Sequence, residues 1–306
     1  MEILKSLAII SIIVFLGISS RKLKIFSKEH VKVISSFVYY FAVPSLLFVS
    51  ISNMDLSTID FNLLFSAIVP IILVILLLYV LKILGTLNKS TFVLLSLSIA
   101  FGSNAFFGIA FFETLYDGRW AKEAIVMASV LGLVGIFFTL LLFEYATQKG
   151  NALDYIVNII KNPTFISIAS GIIFSIFNIK ISILFSSLSL LGETAGGIAV
   201  FSLGIFIYDN LEYEKLKKAF RFSIFRFLIL PLVTFIILSL FSDINNEMKS
   251  FVFIQSGIPA AISLAVFAER YEYKLAEITG IVILTSIFSA VGIMVLFLIT
   301  KNIYPF

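Results

Sequence analysis

Two short stretches of helix-breaking residues carry the chemistry open to this chain. Gly102-Ser103-Asn104-Ala105 interrupts one long apolar segment, and Gly257-Ile258-Pro259-Ala260 interrupts another at the matching place in the second half. A break frees the first N–H groups of the half-helix that follows, an end equivalent to roughly +0.5 charge. Two such ends facing each other suit a carboxylate, because backbone donors and an Asn amide replace its water without a fixed cation. The expected substrate contacts are the side chains of Asn104 and Ser103, with Gly257 and Pro259 as the opposing backbone break. Gln255 and Ser256 are polar candidates beside that break, and Ser45 is a further candidate on a neighbouring span. The breaks themselves rest on Gly102, Gly108 and Pro259. Gly and Pro in membrane helices also mark plain kinks or close packing. The matched placement favours a site, since paired breaks in corresponding segments mark the midplane binding site of secondary transporters.

Composition sets the elements that must position these residues. Hydrophobic residues make up 60% of the 306, above the roughly 45–50% of soluble domains, so apolar runs face lipid. A span takes about 20 apolar residues. The chain then reads as an all-α integral membrane protein with ten spans, near residues 3–20, 33–52, 61–84, 91–112, 122–145, 163–178, 191–208, 221–241, 250–268 and 277–299. A stretch near 181–190 reads as an interfacial helix leading into the seventh span. The first segment lacks a small-residue cleavage site and reads as an anchor rather than a removable signal.

Weak internal repetition divides the chain into residues 1–150 and 151–306. Ala42-Val43-Pro44-Ser45-Leu46 aligns with Ala199-Val200-Phe201-Ser202-Leu203, and Ile68-Val69-Pro70-Ile71 with Ile229-Leu230-Pro231-Leu232. The register that pairs Gly102 with Gly257 also pairs Ala105 with Ala260, Ala110 with Ala265, Phe112 with Phe267 and Tyr116 with Tyr271. Five spans per half, an odd number, predicts two inverted five-helix repeats.

Charge adds orientation. Most of the 22 Lys and Arg fall in alternate loops, among them Arg21, Lys22, Lys24, Lys28, Lys32, Lys82, Lys89, Lys149, Lys161, Lys215, Lys217, Lys218, Arg270 and Lys274. By the positive-inside rule both termini are extracytoplasmic in the cell membrane. No ionisable residue is expected near the centre of a span, which argues against proton or sodium coupling. Glu144 and Glu193 are expected at span ends. Arg221 and Arg226, at the start of the eighth span, are expected to snorkel to lipid phosphates, with attraction of anions toward the inner mouth as the other reading of Arg226. An uncoupled monoanion carrier would be driven outward by about 2.3 kcal/mol per 100 mV of inside-negative potential.

Several classes fall away. There is no Cys, hence no disulfide or thiolate site, and the single His30 cannot anchor zinc alone. No nucleotide, phosphate or nucleophile motif is present, so an enzyme, a cofactor and a nucleic-acid partner are not expected. The partners expected are a small organic acid and the lipid bilayer. A sodium-coupled organic-anion symporter and a non-transporting membrane sensor are the alternatives.

The chain resembles the auxin efflux carrier family, which includes plant PIN carriers and bacterial malate and malonate permeases. The resemblance is carried by Tyr40-Phe41-Ala42-Val43-Pro44-Ser45-Leu46-Leu47-Phe48, by Asn162-Pro163 with Gly171, by Ser202-Leu203-Gly204, and by Asn104 and Pro259. Where that family usually has a proline after the Asn, Gly108-Ile109-Ala110 stands here. The resemblance implies a fold shared with sodium/proton antiporters and bile-acid symporters, with broken crossover helices 4 and 9. It implies a scaffold of spans 1, 2, 6 and 7, a moving transport domain of spans 3–5 and 8–10 working as an elevator, and a homodimer through the scaffold.

Overall fold

The computed structural model describes residues 2–53, 60–108, 111–112, 120–147, 157, 160–210 and 213–304. Ala110, Tyr116 and Lys149 lie outside the described residues. Among the described residues twelve α-helices run in chain order: α1 Glu2–Lys22, α2 Lys28–Phe37, α3 Val43–Ser52, α4 Phe61–Ile83, α5 Lys89–Ala100, α6 Ala121–Thr147, α7 Pro163–Ile176, α8 Ser182–Asn210, α9 Tyr213–Leu240, α10 Asn246–Gln255, α11 Ser263–Arg270 and α12 Leu275–Ile303. Wider π-turns occupy Val38–Ala42 and Asn104–Gly108.

Local chemistry sets many of these ends. The side chains of Asp60, Asn88, Asn162 and Asn245 accept first-turn N–H groups of α4, α5, α7 and α10, satisfying donors that a helix start leaves over. Pro163 follows its cap at a position where a missing N–H costs nothing. Pro44 sits inside a continuous helical run, and the turn before it widens so that the Val43 N–H reaches the Val38 carbonyl.

The expectation of ten spans in two inverted five-helix repeats is corrected by this structure. Among the described residues five helices are long and apolar enough to cross a membrane: Glu29–Ser52, Phe61–Ile83, Val126–Thr147, Ser182–Asp209 and Leu216–Leu240. A sixth is gained if Leu275–Ser289 and Val291–Ile303, bent by 43° against each other, count as one span. The count falls in large part because hydropathy registers apolar residues and not helix continuity. The expected spans 91–112 and 250–268 are each divided, α5 having 12 residues, α10 10 and α11 8, while α7 has only 14. At 1.5 Å per residue none of these reaches the roughly 30 Å of a hydrocarbon core. The stretch expected as a separate interfacial helix is the start of α8.

The helices pack in two groups. In one, α1 lies on α8, and α3 lies between α7 and α8. The α1–α8 contact is backbone on backbone: a Cβ on Gly17 would run into the Phe201 carbonyl, and one on Gly204 into the Val14 carbonyl. Glycine there is what lets two apolar helices approach closely in lipid. In the other group α9 packs on α12, α4 and α5, and α5 is further held by α6. A Cβ on Gly135 of α6 would meet the Ala100 carbonyl at 2.9 Å, so α6 lies tight against the end of α5.

Candidate functional site

The site is built where α5 and α10 stop. α5 ends at Ala100, the chain runs extended through Phe101, Gly102 and Ser103, and helical structure resumes at Asn104. α10 ends at Gln255, and α11 begins at Ser263. The two unwound stretches meet as an antiparallel bridge between Gly102 and Ala260. The Ser103 N–H donates to the Pro259 carbonyl at 2.8 Å and the Ala261 N–H to the Phe101 carbonyl at 2.9 Å. Each break therefore satisfies backbone groups of the other, which is how polar backbone survives at this depth.

Side chains reinforce the crossing. Gln255 Nε2 donates to Asn104 Oδ1 at 2.7 Å, with both residues 5% exposed. The Ala260 N–H donates to Thr285 Oγ1 of α12 at 3.1 Å. Ser103 Oγ and Gln255 Oε1 are buried and unpartnered among the described residues.

Beside the crossing lies a cavity of about 410 Å³. Its polar end is formed by Gly102, Ser103, Asn104 and Ser263; Ser129 of α6 joins them, and apolar walls come from α3, α6 and α8. It follows α3 from Val43 to Asn53, where Lys180 Nζ donates to Asn53 Oδ1 at 2.9 Å. In the opposite direction, one turn before Val43, stands Tyr39, which is buried and lines a second cavity rather than the first. Its ring packs edge-on against Phe267 at 5.4 Å, and Tyr271 stacks on Phe143 at 5.1 Å beside them. Asn162 Nδ2 donates to the Tyr39 hydroxyl, and the Tyr271 hydroxyl donates to Glu144 Oε1 at 3.1 Å. At these rings a second, more polar cavity of about 400 Å³ is lined by Tyr40, Lys161 and Arg270 together with Tyr39 and Tyr271.

A family model described as membrane transport protein matches residues 2–297. The chain belongs to the membrane transport protein family. An uncharacterized transporter of Methanocaldococcus jannaschii is similar at 27% identity, over 92% of this chain and 93% of its own length. A lysosomal cholesterol signaling protein of Mus musculus is similar at 25% identity over 91% of this chain, which spans 35% of that protein's length. This family member is thus a multi-pass membrane protein and a transporter, not an enzyme. Among the described residues no cluster of three or more His, Cys, Asp and Glu could hold a metal ion.

The expected site residues divide by position. Ser103, Asn104, Gln255 and Pro259 meet at the crossing with Gly102. Gly108 ends the π-turn facing the other break, where a Cβ would meet Ile258 Cδ1 at 2.8 Å. Ser256 donates to the Phe253 carbonyl and lines a small cavity of about 30 Å³ behind the crossing. Gly257 points away, its carbonyl accepting from Ser289 Oγ and its Cα facing Leu296. Ser45 is buried on α3 outside the cavity lining. Ser50, Asn53, Ser129 and Ser263 line the cavity and were not singled out from sequence. Ser129 had a legible signal: Val126, Ser129, Gly132 and Ile136 fall at helical spacing on one face of α6.

Arg226 corrects the sequence expectation most. It is 4% exposed and sits mid-way along α9, not at a membrane surface. Its Nη1 donates to the carbonyls of Ser98 and, at 3.2 Å, Ile99; its Nη2 donates to those of Ile258 at 2.7 Å and Pro259 at 3.4 Å; its Nε donates to Ile258 at 3.3 Å. A fixed cation therefore stands at the crossing after all. Glu144, expected at a span end, lies near the end of α6, is 5% exposed and lines the second cavity beside Tyr271.

Proposed function

We propose that this membrane transport protein carries a small organic anion, held by its carboxylate in the cavity beside the helix breaks. The observation that carries the reading is the pairing of the two breaks at the polar end of that cavity. Ser103 offers an unpartnered hydroxyl there, Asn104 an amide, and the turn starting at Asn104 its first N–H groups. A cavity of about 410 Å³ lies within the range of small-molecule sites. The resemblance of Tyr40–Phe48 and of Asn104 to the auxin efflux carriers points the same way, toward malate, malonate or an indole acid.

Alternating exposure follows by movement of the group containing α4–α6 and α9–α12 against the group containing α1, α3, α7 and α8, in an elevator manner. The tyrosine barrier between the two cavities supports this, because sliding one group would open one side as the other closes. With the basic loops cytoplasmic and both termini outside the cell membrane, the conformation described here opens outward. A homodimer through the α1 and α8 group is part of the same proposal. With no coupling ion, export or exchange is the direction an inside-negative potential favours.

Purified protein in proteoliposomes, given labelled malate or indole acetate at clamped voltage, tests the reading. Saturable movement of one of these acids that falls at least tenfold in Asn104→Ala supports it. Undiminished flux in that variant, or uptake against an inside-negative potential with neither cation gradient nor counter-anion, overturns it.

A further inference from the structure

The guanidinium of Arg226 occupies an oxygen cage made by the protein's own backbone. Five N–H groups are available on an Arg, and five contacts to four carbonyls use them: Ser98 and Ile99 at the end of α5, and Ile258 and Pro259 just after α10. No donor is left for a substrate, and Arg226 does not line the cavity beside Ser103 and Asn104. It braces the crossing from behind, where Gly102 leaves space: a Cβ there would stand 3.1 Å from Nη2.

Electrostatics explain why a lone cation is tolerated at this depth. The carbonyls of Ser98 and Ile99 belong to the last turn of α5, those of Ile258 and Pro259 follow the end of α10, and each helix C-terminus is equivalent to roughly −0.5 charge. One guanidinium between two such ends is locally neutral, although among the described residues it has no carboxylate partner. Carbonyls freed by unwound membrane helices are also what oxygen-ligated monovalent cations bind.

We infer that Arg226 is a tethered cation filling a monovalent-cation site, and that the site becomes open to a free cation when the side chain is removed. The charge that a coupling ion would bring and take away in each cycle is covalently fixed here. Sodium-independent flux then follows, a consequence that rests on the carrier reading above; the cage itself rests on geometry alone.

Thermal unfolding of the purified full-length protein tests the cage without a substrate. Arg226→Ala should unfold roughly 10 °C below wild type, as expected for a buried charge removed from its partners. Millimolar guanidinium chloride should restore much of that loss saturably, and sodium chloride in part, against choline chloride at equal ionic strength. Wild type should show no such cation preference. Arg226→Lys, which keeps the charge, should stay nearer wild type and need no added cation. A Tm of Arg226→Ala that responds to these salts as wild type does overturns the proposal, as does an Arg226→Lys protein that needs added cation as Arg226→Ala does. If Arg226→Ala cannot be purified, Arg226→Gln takes its place with the same two outcomes. In proteoliposomes, wild-type flux should be unchanged on replacing sodium by choline, while residual Arg226→Ala flux should rise severalfold with guanidinium. Absence of any wild-type organic-anion flux would count against the carrier reading and leave the unfolding result to decide the cage.

Discussion

Gln255 Nε2 and Asn104 Oδ1 lie 2.7 Å apart, joining side chains from opposite breaks. With its oxygen accepting from Gln255, the Asn104 amide is oriented so that its NH₂ group is left to donate toward the cavity. Asn104→Ala removes that donor and leaves Gln255 buried without its acceptor, a loss of about 1–3 kcal/mol. Flux should drop tenfold or more in a proteoliposome assay with the protein still inserted. Asn104→Asp should do worse for an anion, since it places a carboxylate where the cargo's own must sit.

Gln255 should behave as a positioning residue. Gln255→Glu substitutes an acceptor for the donating amide and turns the pair repulsive unless the carboxyl is protonated. The variant should therefore raise KM more than it lowers the maximal rate at neutral pH and recover at acid pH. A KM equal to wild type across pH 5–8 would remove Gln255 from the site.

The chain has no cysteine, so any introduced thiol is the only one. Asn53→Cys, at the end of the cavity, should react with a membrane-impermeant maleimide from the side opposite the basic loops, and Tyr40→Cys from the basic side. Ser129→Cys should react more slowly than Asn53→Cys and be protected by the transported acid. Labelling of Asn53→Cys and Tyr40→Cys from the same side would refute the arrangement of two cavities across one barrier.

Tyr39 and Phe267, their rings 5.4 Å apart, are the barrier in the proposed carrier. Phe267→Ala should loosen it without touching the polar end of the cavity. The expected result is faster exchange of labelled for unlabelled acid, or a passive leak, while substrate affinity stays within about threefold, less than 1 kcal/mol. Unaltered exchange would mean that closure lies elsewhere.

Gly204 packs on Gly17 where α1 crosses α8. Gly204→Val forces a side chain into backbone and should cost roughly 1–3 kcal/mol, read as a lowered Tm in detergent. Gly197, on the same helix with open space around its Cα, should accept Ala with little change.

The two breaks were legible because Gly and Pro at matched places leave a mark in an apolar run, and the Asp and Asn caps announce helix starts in the same local way. Arg226 was not. Its neighbours Lys217, Lys218 and Arg221 look like a basic loop, yet the helix already begins at Tyr213, which places Arg226 about 20 Å along its axis. Nothing in the local pattern tells that the run is helical, because what stabilises the buried charge is a set of carbonyls distant in sequence. The number of spans failed for a related reason: an apolar segment reads alike whether its helix is whole or divided. Ser263 carries no such mark, since a single serine at the start of a short helix shows no pattern, whereas the spacing of Val126, Ser129, Gly132 and Ile136 marks one face of α6 but not what that face lines until the cavity is seen.

The Pro259 carbonyl accepts from Ser103 and from Arg226, so three segments far apart in the sequence converge on one oxygen. During synthesis the first break is inserted long before either partner has left the ribosome. Until then its exposed backbone must be sheltered by water, lipid headgroups or the insertion machinery. Completion of the crossing is accordingly a late event in biogenesis, and a chain arrested ahead of α10 would hold every helix of the first half with its own break still unpaired.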